Sequence, residues 1–223
     1  MTTNVNVQDW EGKVLRDSKT YSPDGRLDEI PATRTTYWPR MMRGPIPNSY
    51  KLLDGRLIAG EYPGDLVEIA ARSKLGALLD AGVTTFLDLT EARELKQYKT
   101  LLAEMAKARG TEATYVRHPI HDVSVPSSPT VMREILDMVD TVLGNGGIVY
   151  VHCWGGIGRT GTVIGCHLVR HGMTGEDALA CVGALFKSMA KYSARRRSPE
   201  TDEQDAYVRS WNEDAPHAVR PRP

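Results

Sequence analysis

The chain has 223 residues, of which 41% are hydrophobic and 25% are charged, and its 28 basic residues balance its 28 acidic ones. This length and composition indicate one sizeable globular domain with an extension, and the zero net charge gives no reason to expect a nucleic acid or an anionic membrane as a stable partner. A membrane span needs an apolar run of about 18 residues, and the chain has no such run. Its three cysteines include no CxxC pair, which argues against a disulfide framework. We therefore expect a reducing, cytoplasmic setting.

The first part of the chain has neither helical nor strand periodicity. It is rich in Thr, Pro, Arg and Asp and contains scattered aromatic residues such as Trp10, Tyr21 and Trp38. Such a composition is typical of an extension that wraps around a domain or is partly disordered. We therefore predict an N-terminal extension over residues 1–45, a catalytic domain over residues 46–215 and a tail over residues 216–223.

Four short strands follow in the predicted domain. They are RLIAG (56–60), VTTFLDL (83–89), TEATYVRHPI (111–120) and IVYVH (148–152). The last is a continuous run rich in β-branched residues, as expected for a strand that is buried on both faces of a sheet.

Helical periodicity follows each of these strands. The first helix is predicted to bury a broad face made of Leu66, Ile69, Leu75, Leu78 and Leu79. The second ends near residue 108, and Ser128 with Pro129 marks the capped start of the third. Later helices are predicted near residues 160–171, 175–190 and 201–213. The alternation predicts an α/β fold, with a central mostly parallel sheet of four to five strands flanked by helices on both faces.

The most informative segment is VYVHCWGGIGRTGTV, residues 149–163, in which a strand, a glycine-rich loop and a helix follow one another. A helix N-terminus offers free amides and the positive end of its dipole, and glycines let an anion approach the backbone. The P-loop motif does not match, because Arg159 stands where that motif has lysine. The dinucleotide fingerprint matches at Gly156, Gly158 and Gly161, but the second strand with its acidic residue is missing. A nicotinamide-dependent oxidoreductase remains a weak alternative.

The pattern His152-Cys153-x5-Arg159-Thr160 resembles the signature loop of the cysteine-dependent protein tyrosine and dual-specificity phosphatases. The stretches RLIAGEYPG and RHPIHDVSVP also resemble the small bacterial members of that family, and the resemblance covers roughly residues 46–215. It implies a protein-tyrosine-phosphatase-like fold and hydrolysis of phosphate monoesters through a cysteinyl-phosphate intermediate. It also implies that no cofactor is needed and that the partner is a phosphorylated protein or peptide.

The chemistry of this loop agrees with the resemblance. A free thiol has a pKa of about 8.5, and amides at a helix N-terminus with a nearby guanidinium favour its ionised form. Cys153 is therefore the candidate nucleophile, and Arg159 can grip two phosphate oxygens with its planar fork. The other substrate-binding residues are predicted to be Trp154, Gly155, Gly156, Ile157 and Gly158.

The leaving oxygen needs a proton from a second loop at the same edge of the sheet. Asp122 follows the third predicted strand at a spacing similar to that of the family, and Asp88 is its rival, with a capping role as the simpler interpretation. Thr160 is predicted to support departure of the sulfur, and His152 to orient the loop backbone. In PETDEQ the usual water-directing glutamine pattern is only partly present, and Gln204 is the candidate for that role.

Several other features carry alternatives. Two histidine pairs, His118/His121 and His167/His171, have the spacing of metal ligands. The sequence shows no clear third ligand for either pair, so we expect no metal site. Two alternative functions remain open: a phosphatase of phosphoinositides or small molecules, and a catalytically silent module that binds phosphorylated ligands. The uncharged residues in the loop favour phosphoprotein substrates. Cys166 and Cys181 are predicted to be small buried residues. The sequence gives no indication of the oligomeric state.

Overall fold

The computed structural model describes residues 42–52 and 55–213. The predicted extension over residues 1–45 lies outside this part except for its last four residues, and the predicted tail lies wholly outside it. The strands are β1 Met42–Arg43, β2 Ser49–Leu52, β3 Leu57–Gly60, β4 Thr85–Asp88, β5 Thr114–Arg117 and β6 Val149–His152. The helices are α1 Glu68–Asp80, α2 Lys99–Ala108, α3 Pro129–Gly144, α4 Gly158–Arg170, α5 Gly175–Phe186 and α6 Asp202–Arg209.

All six strands belong to one sheet with the order β1-β2-β3-β6-β4-β5. The pairs β3–β6, β6–β4 and β4–β5 are parallel, whereas β1–β2 and β2–β3 are antiparallel. The predicted mostly parallel α/β sheet is therefore confirmed. It has more strands than the four to five expected, because β1 and β2 add an antiparallel edge. That hairpin escaped prediction since Pro45 and Pro47 interrupt the strand period between its two short arms.

The core lies on both faces of the sheet, as predicted for helices on either side. Along β6, Val149 and Val151 join the hydrophobic cluster that also holds residues of α3, α4, α5 and α6. Tyr150, between them in sequence, joins the other cluster together with residues of α1 and α2. Because successive side chains of a strand point to opposite faces, this short run serves both cores. β6 therefore lies inside the sheet between the two core clusters, and the position of the residue that follows it is well defined.

The predicted buried face of the first helix is partly wrong. Leu66 and Ile69 are 82% and 77% exposed. The helix begins only at Glu68, so Leu66 precedes it, and its buried face includes Ala71 and Leu75. Ile69 is two residues before Ala71 and so lies about 200° away around the helix. The prediction assigned Leu66 and Ile69 to the buried face only because they are apolar, and the position at which the helix begins places neither of them on that face.

The predicted start of the third helix agrees with α3. Ser128 is its N-cap and accepts a hydrogen bond from the backbone N–H of Val131, and Pro129 occupies the first turn. Among the residues that the structure describes, no helix combines the length and the apolar character needed to cross a membrane.

Candidate active site

Residues 153–157 form the loop between β6 and α4, at the carboxyl end of the central parallel strand. Ligands of open α/β sheets bind outside the carboxyl ends of the strands, and the N-terminus of α4 adds free amides and a positive dipole end. Cys153 follows β6 directly, is 3% exposed and lines a cleft of about 1060 Å³. The fold thus places the thiol where an anion would bind.

The carbonyls of this loop are held by groups outside it. Trp154 O accepts the N–H of Tyr62 at 2.9 Å, Gly155 O accepts Lys191 Nζ at 3.1 Å, and Ile157 O accepts Ser198 Oγ at 2.8 Å. In a trans peptide the N–H points opposite to the C=O of the same plane. The amides that follow these three carbonyls therefore face away from those partners, which is the orientation a phosphate-binding loop needs.

Gly156 is the position at which the loop depends on glycine. Its φ is +72°, and a Cβ built there would lie 2.2 Å from the carbonyl carbon of Gly60. The backbone after β3 therefore passes directly against the loop. A side chain at this position would separate the two segments or unwind the loop.

Arg159, in the first turn of α4, is 2% exposed and holds its guanidinium in the cleft. Its Nη1 and Nη2 donate to the two carboxylate oxygens of Glu94 at 2.8 and 2.7 Å, and Nη1 also donates to Ile120 O at 3.2 Å. Burial lowers the pKa of Arg159, but the hydrogen bonds to Glu94 and the nearby thiol of Cys153 raise it, and the net shift is upward. The guanidinium is therefore a permanent cation.

The contact with Glu94 also acts on the carboxylate. Burial raises the pKa of Glu94, but the hydrogen bonds from Arg159 and from a backbone amide lower it more, so that the pKa falls below its usual range. Glu94 thus stays ionised and fixes the Arg159 fork in a two-point contact.

Asp122 lies in the loop after β5 and reaches the same guanidinium. Its Oδ1 is 2.8 Å from Arg159 Nη2, and its side chain is 49% exposed. The next residue, Val123, has a φ of +57°, which is rare for a β-branched residue. The predicted acid is therefore at the cleft, on a segment with an unusual backbone.

His152 and Thr160 lie behind the loop, and both are fully buried. His152 Nε2 is 2.6 Å from Tyr98 Oη and its Nδ1 is 3.3 Å from Cys153 O. Burial is the main reason that the pKa of His152 falls to about 4, so the ring is neutral at pH 7. Its contacts agree with the predicted orienting role. The Thr160 hydroxyl has no hydrogen-bond partner within the described residues.

Asp88, the rival acid, is fully buried and committed to structural hydrogen bonds. Its Oδ1 accepts the backbone N–H and the hydroxyl of Thr90 at 2.8 and 2.6 Å. Its Oδ2 accepts Tyr115 Oη at 2.6 Å and Arg117 Nη2 at 3.0 Å. Burial raises the pKa of Asp88, yet His152 and these donors lower it overall. A carboxylate held ionised in this way has no proton to give.

Gln204 lines the cleft but is tied to backbone groups. Its Oε1 accepts the amides of Glu200 and Thr201 at 3.0 and 3.2 Å, and its Nε2 donates to Ser124 O at 2.9 Å. It completes a capping box at the start of α6 and links that helix to the loop that carries Asp122. The structure thus gives Gln204 a positioning contact that the sequence did not predict.

Most of the predicted site residues converge on one cleft. Those that line it are Cys153, Trp154, Gly155, Ile157, Gly158, Arg159, Asp122 and Gln204. Gly156, Thr160 and His152 lie in or directly beside the same loop without lining the cleft themselves.

Comparison with known proteins agrees with this geometry. Residues 64–173 match the family model described as "Polymorphic toxin system, DSP-PTPase phosphatase". The chain is 39% identical over 75 residues, 32% of its length, to the mouse dual specificity protein phosphatase CDC14B. Residues 64–173 therefore form a domain of the cysteine-dependent protein tyrosine and dual-specificity phosphatase family.

Other members of this family extend the likeness. A phosphatidylinositol 3,4,5-trisphosphate 3-phosphatase and protein-tyrosine-phosphatase of Arabidopsis thaliana, PTEN1, is 25% identical over 183 residues, 78% of this chain. The matches cover only 15% of the mouse protein and 40% of the Arabidopsis protein, so the chain spans less than half the length of these relatives. The crystal structure of Tk-PTP in its active form is 27% identical, with a TM-score of 0.55, and the alignment covers 73% of this chain and 93% of that one.

Two cleft residues of this family member were missed by sequence reasoning. Glu94 orients Arg159, and Lys191 donates both to Gly155 O and to Glu61 Oε2. Glu94 follows β4 at the carboxyl edge of the sheet, which was a usable signal, because polar residues on that edge face the site. Lys191 belongs to a basic run of the sequence that also holds Lys187 and Arg195. Nothing local in that run distinguishes it from its neighbours.

The other two cysteines are remote from this chemistry. Burial raises the pKa of Cys166 well above its usual value and that of Cys181 to about 12. Both are fully buried in the main core cluster, as predicted for small apolar residues. They are therefore protonated at neutral pH and unreactive.

Proposed function

We propose that the chain is a phosphoprotein phosphatase that hydrolyses phosphotyrosine or mixed phosphoester substrates through a cysteinyl-phosphate intermediate. One observation carries the proposal: Cys153, Arg159 and Asp122 line a single cleft at a loop whose amides turn away from their protein partners. Membership of the family supports the same reaction. We assign this activity to the domain within residues 42–213.

In the first step, the Cys153 thiolate attacks phosphorus, the bond to the leaving oxygen breaks, and Asp122 transfers its proton to that oxygen. Because Glu94 occupies the Nη1–Nη2 edge of Arg159, the phosphate takes the edge formed by Nε and Nη2. Two equatorial oxygens bound there stabilise the charge of the trigonal transition state. This binding displaces Asp122 from Nη2 and frees its carboxyl for the leaving group.

In the second step, water attacks phosphorus, the sulfur–phosphorus bond breaks, and the Asp122 carboxylate accepts a proton from the water. Thr160 donates its unused hydroxyl hydrogen toward the departing sulfur, which stabilises the thiolate. Gln204 positions the water with the amide hydrogen that Ser124 O does not use. No cofactor takes part.

The rim of the cleft favours a peptide substrate. The exposed apolar residues Leu66, Val123 and Trp154 line it at its mouth. Such side chains can contact an aromatic phosphoester and the apolar groups of a peptide around it. We therefore place the phosphorylated protein on this side of the sheet.

A phosphoinositide substrate is the second candidate, because lysines and arginines line the cleft and the Arabidopsis relative is named as a lipid phosphatase. Two of these lysines are paired with acids: Lys191 with Glu61 at 2.8 Å and Lys74 with Asp65 at 3.4 Å. With these two charges neutralised, the cleft offers less attraction to a headgroup that carries several phosphates. The pairing favours the phosphoprotein.

The setting we propose is the cytoplasm, because a catalytic thiol must stay reduced and the three cysteines are free. A silent binding module or a nicotinamide-dependent oxidoreductase would not turn over an aryl phosphate. Turnover therefore separates these alternatives from the proposed phosphatase.

The test is hydrolysis of aryl phosphates by the full chain and three variants. Cys153→Ser should fold normally, as judged by circular dichroism and melting temperature, and show no detectable turnover. Asp122→Asn should slow a phosphate with a poor leaving group by about 10²–10⁴-fold and one with a good leaving group far less. Asp65→Asn removes another carboxylate of the cleft and should preserve the dependence on leaving group. Undiminished turnover by Cys153→Ser would refute the proposal.

A further inference from the structure

Three side chains with metal-binding atoms converge where α3 packs against the C-terminal half of α4. His167 lies on α4 and His171 is its C-cap, four residues later, so both side chains lie on one face of the helix. Asp140 comes from α3, and its Oδ1 lies 3.5 Å from His167 Nδ1 and 3.0 Å from His171 Nε2. One ligand atom from each residue lies within 4.8 Å of the other two. Sequence reasoning found the histidine pair but no third ligand, because Asp140 belongs to another helix.

His167 supplies an independent indication that something binds here. Its side chain is 2% exposed, and neither ring nitrogen has a hydrogen-bond partner within the described residues. A buried polar group left in this state costs about 1–3 kcal/mol. A neutral imidazole offers a metal ion the lone pair of one of its nitrogens. A metal ion would satisfy the nitrogen that faces Asp140.

Arg170 holds the carboxylate of Asp140 in the required orientation. Its Nη1 donates to Asp140 Oδ2 at 2.9 Å, which leaves Oδ1 directed at both histidines. Arg170 also pairs with Asp137 and Glu213, so most of its charge is already compensated. Such outer contacts are how proteins fix the ligands of a metal.

We propose that Asp140, His167 and His171 bind a divalent transition-metal ion, with zinc as the best match. Two ligands at about 2.0–2.1 Å from a tetrahedral zinc lie about 3.3–3.4 Å apart, and the distances of 3.0 and 3.5 Å bracket that value. Two imidazoles and one carboxylate suit zinc, whereas magnesium and calcium prefer shells of oxygen. A fourth position remains for water or another ligand.

This metal site is separate from the phosphate chemistry. His167 is nine residues along α4 from Gly158, about 14 Å at the rise of an α-helix. Its metal would join α3 to α4, both of which contribute to the main core cluster. An ion that binds the folded chain and not the unfolded chain raises the melting temperature. The inference is therefore independent of the proposed phosphatase activity.

The test uses the full chain with Cys153→Ser, so that the active-site thiol cannot bind the metal. Zn²⁺ binding is measured by equilibrium dialysis, and Co²⁺ by the visible absorption that reports tetrahedral geometry. We expect one ion per chain and, at 100 times the Kd, a rise in melting temperature of about 5–10 °C. Mg²⁺ should cause no comparable rise.

His171→Ala and Asp140→Asn, each added to that background, should weaken Zn²⁺ binding by about 10–100-fold or more. Losses of this size follow when a residue that only contacts a metal ligand is removed, and these two variants remove a ligand itself. Asp137→Asn is the matched control: it removes a carboxylate that contacts the same Arg170 but lies outside the cluster, and it should bind Zn²⁺ normally. Zn²⁺ binding that is absent, or equally strong in His171→Ala and Asp140→Asn, would overturn the proposal.

Discussion

At the scale of single residues, the guanidinium of Arg159 controls the candidate site. Glu94 holds one edge of it by two hydrogen bonds, and Asp122 contacts it only through Nη2. Among the described residues, no hydrogen bond from Nε is present, so the Nε–Nη2 edge is the one a phosphate can use once Asp122 moves. In the proposed reaction, Glu94 is therefore the positioning residue and Asp122 the group that exchanges with substrate.

This arrangement predicts the effect of Glu94→Gln. The amide keeps the shape of the side chain but has one acceptor oxygen instead of two, so it cannot reproduce the two-point contact with the Arg159 fork, and it carries no charge. We expect kcat/KM for p-nitrophenyl phosphate to fall by up to about 10²-fold, since small displacements of a substrate clamp have effects of this size. Steady-state kinetics with vanadate inhibition, which reports binding of a trigonal anion, would measure it.

Glu91→Gln is the matched control for this change. Glu91 lies in the same segment, and its carboxylate contacts His121 rather than Arg159. It should keep normal kinetics. Equal losses in the two variants would mean that the segment as a whole, and not the contact with Arg159, supports turnover.

What the sequence could predict at this scale depends on how far apart the residues lie along the chain. Cys153 and Arg159 were predicted because a single loop and helix start fix both. Glu94 is 65 residues from Arg159, and its contact exists only because β4 and β6 end at the same edge of the sheet. The same reason hid Asp140 as a partner of the histidine pair. Contacts between distant residues require the fold, and no local pattern encodes them.

At the scale of elements, the loop of residues 153–157 depends on close backbone packing more than on its side chains. The segment after β3 lies against Gly156, and Tyr62 and Lys191 bind the loop carbonyls. The loop is thus held from outside in the conformation that turns its amides inward. Its shape is a property of these two neighbouring segments.

Gly156→Ala should therefore disrupt the loop. The new Cβ would lie 2.2 Å from the backbone carbonyl carbon of Gly60, and the φ of +72° is unfavourable for alanine. We expect a loss of stability of about 1–3 kcal/mol for the strained backbone, and a loss of phosphate binding. Urea denaturation and isothermal titration with vanadate would measure the two effects separately.

Gly183→Ala is the control for the same change of residue. Gly183 lies inside α5, and a Cβ there meets no atom within 4 Å. It should stabilise the protein by about 0.5–1 kcal/mol, since alanine is the better helix former, and leave turnover unchanged. Stability that is equal in the two alanine variants would contradict the structural role assigned to Gly156.

How well each helix and strand could be predicted depends on the capping residues and the periodicity in its own stretch of sequence. α3 has both a serine cap and a proline in its first turn, and its start was correct. α1 has no side-chain cap at Val67, so apolar residue type alone set its predicted start and wrongly included Leu66. The hairpin β1–β2 has arms of two and four residues, too short for a strand period to be recognised.

At the scale of the whole molecule, β6 joins the two core clusters, and His152 at its end lies among aromatic residues. Its ring packs against Tyr62, Tyr98 and Tyr150 with centroid distances of 5.3 to 5.6 Å. A proton on this ring would introduce a charge where no water reaches. The global stability of the protein is therefore linked to the protonation of one central residue.

The sign of this linkage follows from the pKa of His152, which burial lowers from 6.5 in the unfolded chain to about 4 in the folded one. Between these values the unfolded chain binds a proton that the folded chain does not, so stability is full above pH 6.5 and falls as the pH decreases. The loss from this residue alone between pH 7 and pH 5 is about 2 kcal/mol. Urea denaturation at the two pH values measures the total.

His152→Asn should remove this contribution and make the pH dependence of unfolding shallower by that amount. Should the asparagine variant fail to fold, the imidazole proton signals of the native chain provide a second measurement. The His152 ring, held neutral by burial, should then show no titration above about pH 5. A midpoint near 6.5 would mean that water reaches this ring and that the link between protonation and unfolding does not exist.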